Sequence, residues 1–306
     1  MKHYIGIDIG GTEIKYAVFG LGAELLYHDS VKTPKGQANI RIPEQAAGII
    51  AELLEKYEGI QGVGISTAGV VDPASGEIVF AGGTIPEYKG TNLKTMIQDR
   101  FGLRAIVAND VNAAACGEKW KGAAQGSDHF FCMTLGTGVG GALFCEGKLV
   151  VGSHFRAGEI GHSLYDKSTR TTYEQRASMT ALLNKASLVL PEFTGSGHEL
   201  FANARMGSEC CNAIIDGWAE EIARGLAEII LLADPSLILI GGGVSEQKAF
   251  LLDKIKARLD EYLPANFSKT ELKAAELGNR AALYGAVYPY YNDETEWDSN
   301  ENRHHL

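Results

Sequence analysis

The residues that could do chemistry begin almost at the start of the chain. Asp8 closes an apolar run, Gly10, Gly11 and Thr12 follow it, and Lys15 stands three residues further on. Glycines let a backbone come close to a ligand and leave amide groups available to it. Thr12 adds a hydroxyl, Lys15 a positive charge, and Asp8 an oxygen ligand of the kind Mg²⁺ takes. The set suits a magnesium–nucleotide triphosphate. The flanking runs Ile5–Ile9 and Ile14–Phe19 predict two strands joined by this turn, for which an ordinary glycine hairpin is the alternative.

A second copy of the pattern favours the ligand. Phe130–Leu135, then Gly136-Thr137-Gly138, then Val139–Phe144 again reads as strand, glycine turn, strand. Two similar hairpins imply two similar lobes with a cleft between them, and both turns could touch the phosphates of one nucleotide. Neither turn is a Walker loop, because no Gly-Lys-Ser/Thr follows. Gly136 to Gly141 is not a dinucleotide fingerprint either, since a strand and not a helix comes next.

Three further segments carry reactive groups. Asp110 stands between a predicted strand, Ala105–Ala108, and a predicted helix, Asn112–Trp120. A carboxylate at the C-terminal edge of a sheet strand can accept the proton of a hydroxyl that attacks phosphorus, or it can cap the helix. Glu159 and His162 lie in the glycine-flanked run Gly158-Glu159-Ile160-Gly161-His162. That pair suits hydrogen bonding to a polyol, and a structural histidine is the alternative. Gly241-Gly242-Gly243 follows the predicted strand Leu237–Ile240 and admits a flat ring or ribose to the backbone, or simply turns the chain.

The elements that must position these groups are those of an α/β protein. Beyond the hairpins, the periodicity predicts a strand near Glu24–His28 and a helix over Pro43–Tyr57. It adds a strand at Val63–Ser66 and helices at Asn92–Phe101, Tyr173–Ala186, Glu199–Ala204, Glu209–Ala233 and Ala281–Tyr288. A chain of 306 residues, 45% hydrophobic, has room for two packed lobes. We expect an N-terminal lobe over 1–117, with 282–291 crossing back to it, and a C-terminal lobe over 118–281. The polar stretch 292–306, with His304-His305, is expected to be a flexible tail. The net charge of −10 and the absence of a basic run argue against nucleic-acid binding. No apolar run reaches membrane-spanning length and no signal sequence is read, so a cytoplasmic protein is expected. The five cysteines, Cys116, Cys132, Cys145, Cys210 and Cys211, are expected to be buried reduced thiols.

Taken together these segments resemble the ROK family of sugar kinases and repressors, over nearly the whole chain. Asp8–Lys15 is similar to the family's first phosphate motif, and Gly64–Asp72 to the segment after it. Asn109–Ala114 is similar to the catalytic stretch, Leu135–Gly141 to the second phosphate motif, and Gly158–His162 to the sugar-binding loop. The resemblance implies a two-lobed actin-like ATPase (ribonuclease H-like) fold with duplicated βββαβαβα lobes. It implies ATP-dependent phosphorylation of a hexose 6-hydroxyl with Asp110 as base, and Asp8 holding Mg²⁺ through water. Asn109, Asp110, Glu159, His162 and Glu174 would bind the sugar, and a homodimer would be usual. The glycines and Thr of both turns, Lys15 and Gly241–Gly243 would bind ATP.

The chain departs from the family in two places. Where typical members carry a cysteine run that holds structural zinc, it has Ser168-Thr169-Arg170-Thr171-Thr172, so no zinc is expected. Tyr88 stands where the preceding sugar loop usually has Trp. Both departures predict a more mobile, open pocket that accepts a 2-acetamido group or a β-linked aglycone beside glucose. The rival reading is a sugar-sensing regulator or binding protein. A repressor's DNA-binding domain is expected to be missing, since Met1 directly precedes the first strand. A silent binding protein would be expected to lose Asp110 or the turns, and an actin-like filament has no need of the Glu159–His162 loop.

Overall fold

The computed structural model describes residues 2–292, and the expected tail beyond Asn292 lies outside them. The chain forms two compact units. The first runs to Gly122, takes up Val151–Arg156 and resumes at Arg280; the second holds Ala123–Val150 and Ala157–Asn279.

In the first unit, β1 (His3–Ile9), β2 (Glu13–Phe19) and β3 (Leu25–Lys32) form an antiparallel meander. The helix α1 (Ala38–Lys56) then returns the chain to β4 (Ile60–Thr67), parallel to β1. A small ribbon of β5 (Val70–Val71) and β6 (Ile78–Phe80) precedes α2 (Leu93–Phe101). Then β7 (Arg104–Asn109) joins the sheet beside β4, and α3 (Asp110–Lys121) follows at once. The sheet order is β3-β2-β1-β4-β7. Ile5, Ile7 and Ile9 alternate along β1 and are fully buried in one core with Ile42, Ile50 and Leu53 of α1. Phe19 and Ala17 face the opposite side, where they meet Leu283 and Val287. Burial on both faces is what the largely apolar strands require.

The second unit repeats this order. It contains β8 (Phe130–Leu135), β9 (Val139–Cys145) and β10 (Lys148–Val150). Its helices are α4 (Glu174–Ala177), α5 (Met179–Val189), α6 (Gly197–Arg205) and α7 (Glu209–Ala233). After them come β11 (Leu237–Gly241), α8 (Ala249–Leu259) and β12 (Glu271–Ala274). The order β10-β9-β8-β11-β12 matches the first sheet strand for strand, with the same two antiparallel and two parallel pairings. The final helix, α9 (Ala281–Val287), packs in the first unit against α3. Among the described residues no helix is long and apolar enough to cross a membrane.

Several local expectations are corrected. The helix expected from Pro43 begins at Ala38, which leaves Pro43 inside α1. Its first turn is held from elsewhere: Gln37 N–H donates to Glu87 Oε2 at 2.6 Å and Asn39 N–H to the Glu87 carbonyl at 3.0 Å. Orphan amides of a first turn need partners, and here a loop fifty residues away supplies them. The helix expected over Tyr173–Ala186 is broken at Ser178, which is extended (ψ 161°) and caps α5 through Ala181 N–H. The indole N–H of Trp218 takes up the carbonyls of Ala177 and Ser178, at 2.8 and 3.2 Å. The ribbon β5–β6 and the strand β12 are additions. Of the five free cysteines, Cys145 and Cys210 are exposed, because they fall at a strand end and on the outer side of α7. Tyr88 is fully buried in the first core, with its hydroxyl 3.0 Å from Thr67 Oγ1. It therefore presents nothing to a ligand, and burial pushes its phenol well above the ordinary range.

Candidate active site

In the first unit the candidate residues gather at the C-terminal ends of the parallel strands. Register aligns Asp8 of β1 with Ser66 of β4, and Thr67 of β4 with Asn109 of β7. That edge is where ligands of α/β sheets bind. The Asp8 carboxylate accepts from Ser66 Oγ at 2.8 Å and lies 3.8 Å from Lys15 Nζ. Burial raises its pKa, against the lowering effect of Ser66 and Lys15. A lone carboxylate with a hydroxyl neighbour is a hard-oxygen set that fits Mg²⁺ completed by water and phosphate oxygens.

The Gly10–Thr12 turn is braced by its carbonyls. Thr33 Oγ1 donates to Gly10 O at 2.7 Å, Lys35 Nζ to Gly11 O at 2.7 Å, and Thr33 N–H to Thr12 O at 2.9 Å. Lys35 thus brings a second ammonium to this turn. Its position in a polar stretch gave no sequence signal.

Of the two roles left open for Asp110, capping falls mainly to its neighbour, although Asp110 Oδ1 also accepts from Val111 N–H at 3.0 Å. Asn109 is the helix cap: its Oδ1 accepts from Val111 and Asn112 N–H at 2.9 and 3.1 Å. Its Nδ2 donates to Gly69 O at 3.0 Å and to Asp110 Oδ1 at 2.9 Å. Both amide hydrogens are therefore spent within the chain, one of them on orienting Asp110.

In the second unit the glycine turn, the acid loop and Glu174 come together. Glu174 Oε2 accepts from Val139 N–H at 3.3 Å and sits against Gly138 and Gly161, so that a Cβ at Gly138 would collide with it. The one-turn helix Ile160–His162 carries His162, whose Nε2 is 3.9 Å from Glu159 Oε2. Both side chains are open to solvent.

Gly136 and Thr137 of the glycine turn also border a cavity of about 370 Å³ that lies wholly within this unit. Met179, Leu183, Phe201 and Val244 give it apolar walls, and Gly243 and Thr180 reach it too. The two glycine segments singled out in this half of the chain therefore meet at one cavity. The three glycines of the second segment differ in role. Gly242 (φ 83°) is required by packing, since a Cβ there would strike the Leu135 carbonyl, whereas a Cβ at Gly243 would meet only open space. Apolar walls with a few polar groups suit a flat heterocycle beside a phosphate turn. Met179, Leu183 and Phe201 carry no sequence signal, because apolar helix residues read as core.

Among the described residues no three His, Cys, Asp or Glu are grouped to hold a metal. The Ser168–Thr172 stretch is hydrogen-bonded within itself. Asp166 Oδ1 accepts from Ser168 N–H, Ser168 Oγ and Thr169 N–H, and Asp166 pairs with Thr171 as a β-bridge.

Residues 4–290 match the ROK family. A beta-glucoside kinase of Listeria monocytogenes is 30% identical over 298 residues, covering 94% of this chain and 97% of the relative. A glucokinase of Streptomyces coelicolor is 33% identical over 315 residues, covering 92% and 96%. Among solved structures, a ROK family glucokinase from Streptomyces griseus in complex with glucose and AMPPNP superposes with a TM-score of 0.77. It is 32% identical, with 93% of this chain and 97% of that one covered.

Proposed function

We propose that this chain, which belongs to the ROK family and has its actin-like ATPase fold, is an ATP-dependent kinase of the 6-hydroxyl of a hexose or hexose derivative. The observation that carries the reading is the junction in the second unit, where a glycine turn, the Glu174 carboxylate and a cavity of heterocycle size adjoin. The sugar-kinase relatives and the neighbour complexed with an ATP analogue support it.

Phosphoryl transfer is mainly a matter of positioning and charge stabilisation. Asp110, oriented by Asn109, takes the proton of the attacking hydroxyl. Glu159, His162 and Glu174 hold ring hydroxyls, and Asn109 contributes through Asp110. Gly10, Gly11 and Thr12, with Lys15 and Lys35, and Gly136, Thr137 and Gly138 surround the phosphates. Gly243 borders the base. Asp8 would hold Mg²⁺ through water, and the ion would supply charge neutralisation on the phosphates.

The proposal includes no structural zinc, a cytoplasmic location and a homodimer acting on small molecules without nucleic acid; light scattering of the purified chain checks the dimer. Glucose, N-acetylmannosamine and a β-glucoside are the candidate acceptors. The buried Tyr88 removes one ground for an unusually open pocket, and a β-glucoside acceptor is supported by the beta-glucoside kinase relative.

The nucleotide assignment is tested with Gly243→Val, at a cavity-lining position where an added Cβ meets nothing within 4 Å, so that the new side chain takes up part of the cavity. It is expected to raise the KM for ATP about tenfold, the scale of one misplaced apolar group in a pocket. The KM for sugar should stay unchanged. An unchanged KM for ATP would remove the cavity from the nucleotide site.

A further inference from the structure

Arg176 lies on α4, two residues beyond Glu174, and its guanidinium makes an unusual set of contacts. Nη1 donates to Thr171 O and Thr171 Oγ1, both at 2.8 Å, and to Thr172 O at 3.0 Å. Nη2 donates to Leu164 O at 2.7 Å. Nε donates to Glu221 Oε2 on α7 at 3.1 Å. The side chain is only 13% exposed, so this ion pair is shielded from the screening that weakens surface pairs.

The contacts join particular places. Leu164 lies two residues after His162, and Thr172 two residues before Glu174. One planar cation therefore grips both ends of the intervening loop and anchors them to α7. Tyr173 reinforces the join: its N–H donates to Ser163 O at 3.0 Å and its hydroxyl to Ile222 O at 3.1 Å, next to Glu221. A guanidinium can do this because its donors form a rigid fork, whereas an ammonium is a point charge.

We propose that Arg176, held by Glu221, is a positioning residue for the sugar. It sets the spacing between the Glu159–His162 segment and Glu174, as a cross-link made by an organic cation. The role in sugar binding rests on the function proposed above, while the cross-link itself does not.

The test uses the full chain with Arg176→Lys and Arg176→Ala. Without any ligand, amide exchange over residues 163–173 is expected to quicken about tenfold or more in both, while α7 keeps its protection. Wild-type exchange should not respond to a chelator. The KM for sugar is expected to rise about tenfold, with the KM for ATP within about twofold of wild type, the mark of a lost ground-state contact to one substrate. Free guanidinium at millimolar levels should partly restore Arg176→Ala. Unchanged exchange in the variants, or loosening of the wild-type loop by the chelator, would overturn the cross-link. Equal rises in both KM values would reduce Arg176 to a structural residue. If wild-type protein turns over no sugar, the kinase reading fails on its own, and exchange still decides the cross-link.

Discussion

Asp110→Asn is expected to lower kcat by about 10²–10⁴, the range general-base catalysis contributes. The geometry sharpens this expectation. Capping of α3 is performed by Asn109, so removing the Asp110 charge leaves the cap in place. Asn at position 110 retains a carbonyl oxygen that can accept from Asn109 Nδ2 and Val111 N–H, as Asp110 Oδ1 does now. What it loses is basicity. The variant should melt near the wild-type temperature and bind ATP normally, with the loss confined to turnover. Near-normal kcat would show that Asp110 serves only the start of the helix.

Gly285→Ala is expected to be the most damaging small substitution in the first unit. Gly285 of α9 and Gly117 of α3 face each other, and a Cβ at either would run into the partner helix's carbonyl, Ala113 O or Ala281 O. The obstacle is backbone, so no side chain can swing aside and the helices must part. Overpacking of this kind costs up to about 3 kcal/mol or somewhat more. For a unit of this size that corresponds to a fall in melting temperature of roughly 6–12 °C. Gly82→Ala is the control, since a Cβ there meets nothing within 4 Å. Equal melting temperatures for the two variants would mean that the α3–α9 contact is far more yielding than its geometry implies.

The parts of the site that the sequence revealed are those in which local chemistry and local structure coincide. Asp8 with its glycine turn, Gly136–Gly138, and the Asn109–Asp110 junction of strand and helix could each be read within ten residues. Their duplication foretold the two sheets of identical order. What was hidden depends on partners distant in sequence. The start of α1 depends on Glu87, and the break at Ser178 on Trp218. Tyr88 looked like a ligand-binding aromatic because of its loop, but its environment is set by Thr67 and the isoleucines of a sheet core. A stretch of Ser, Thr, Lys and Arg reads as a mobile loop until the one arginine that follows it, Arg176, is seen to hold it by both ends. The cavity walls Met179, Leu183 and Phe201 were hidden for a different reason: on a helix, an apolar residue facing a ligand looks the same as one facing the core.

The central claim is that the chain moves the terminal phosphoryl group of ATP to a sugar. ³¹P NMR of the purified protein incubated with ATP, Mg²⁺ and, in turn, glucose, N-acetylmannosamine and a β-glucoside tests it most directly. The account predicts that at least one of them yields ADP and a sugar 6-phosphate in equal amounts. ATP left intact with all three, ATP hydrolysed to inorganic phosphate with no sugar ester, or an ester at a position other than the 6-hydroxyl would contradict it.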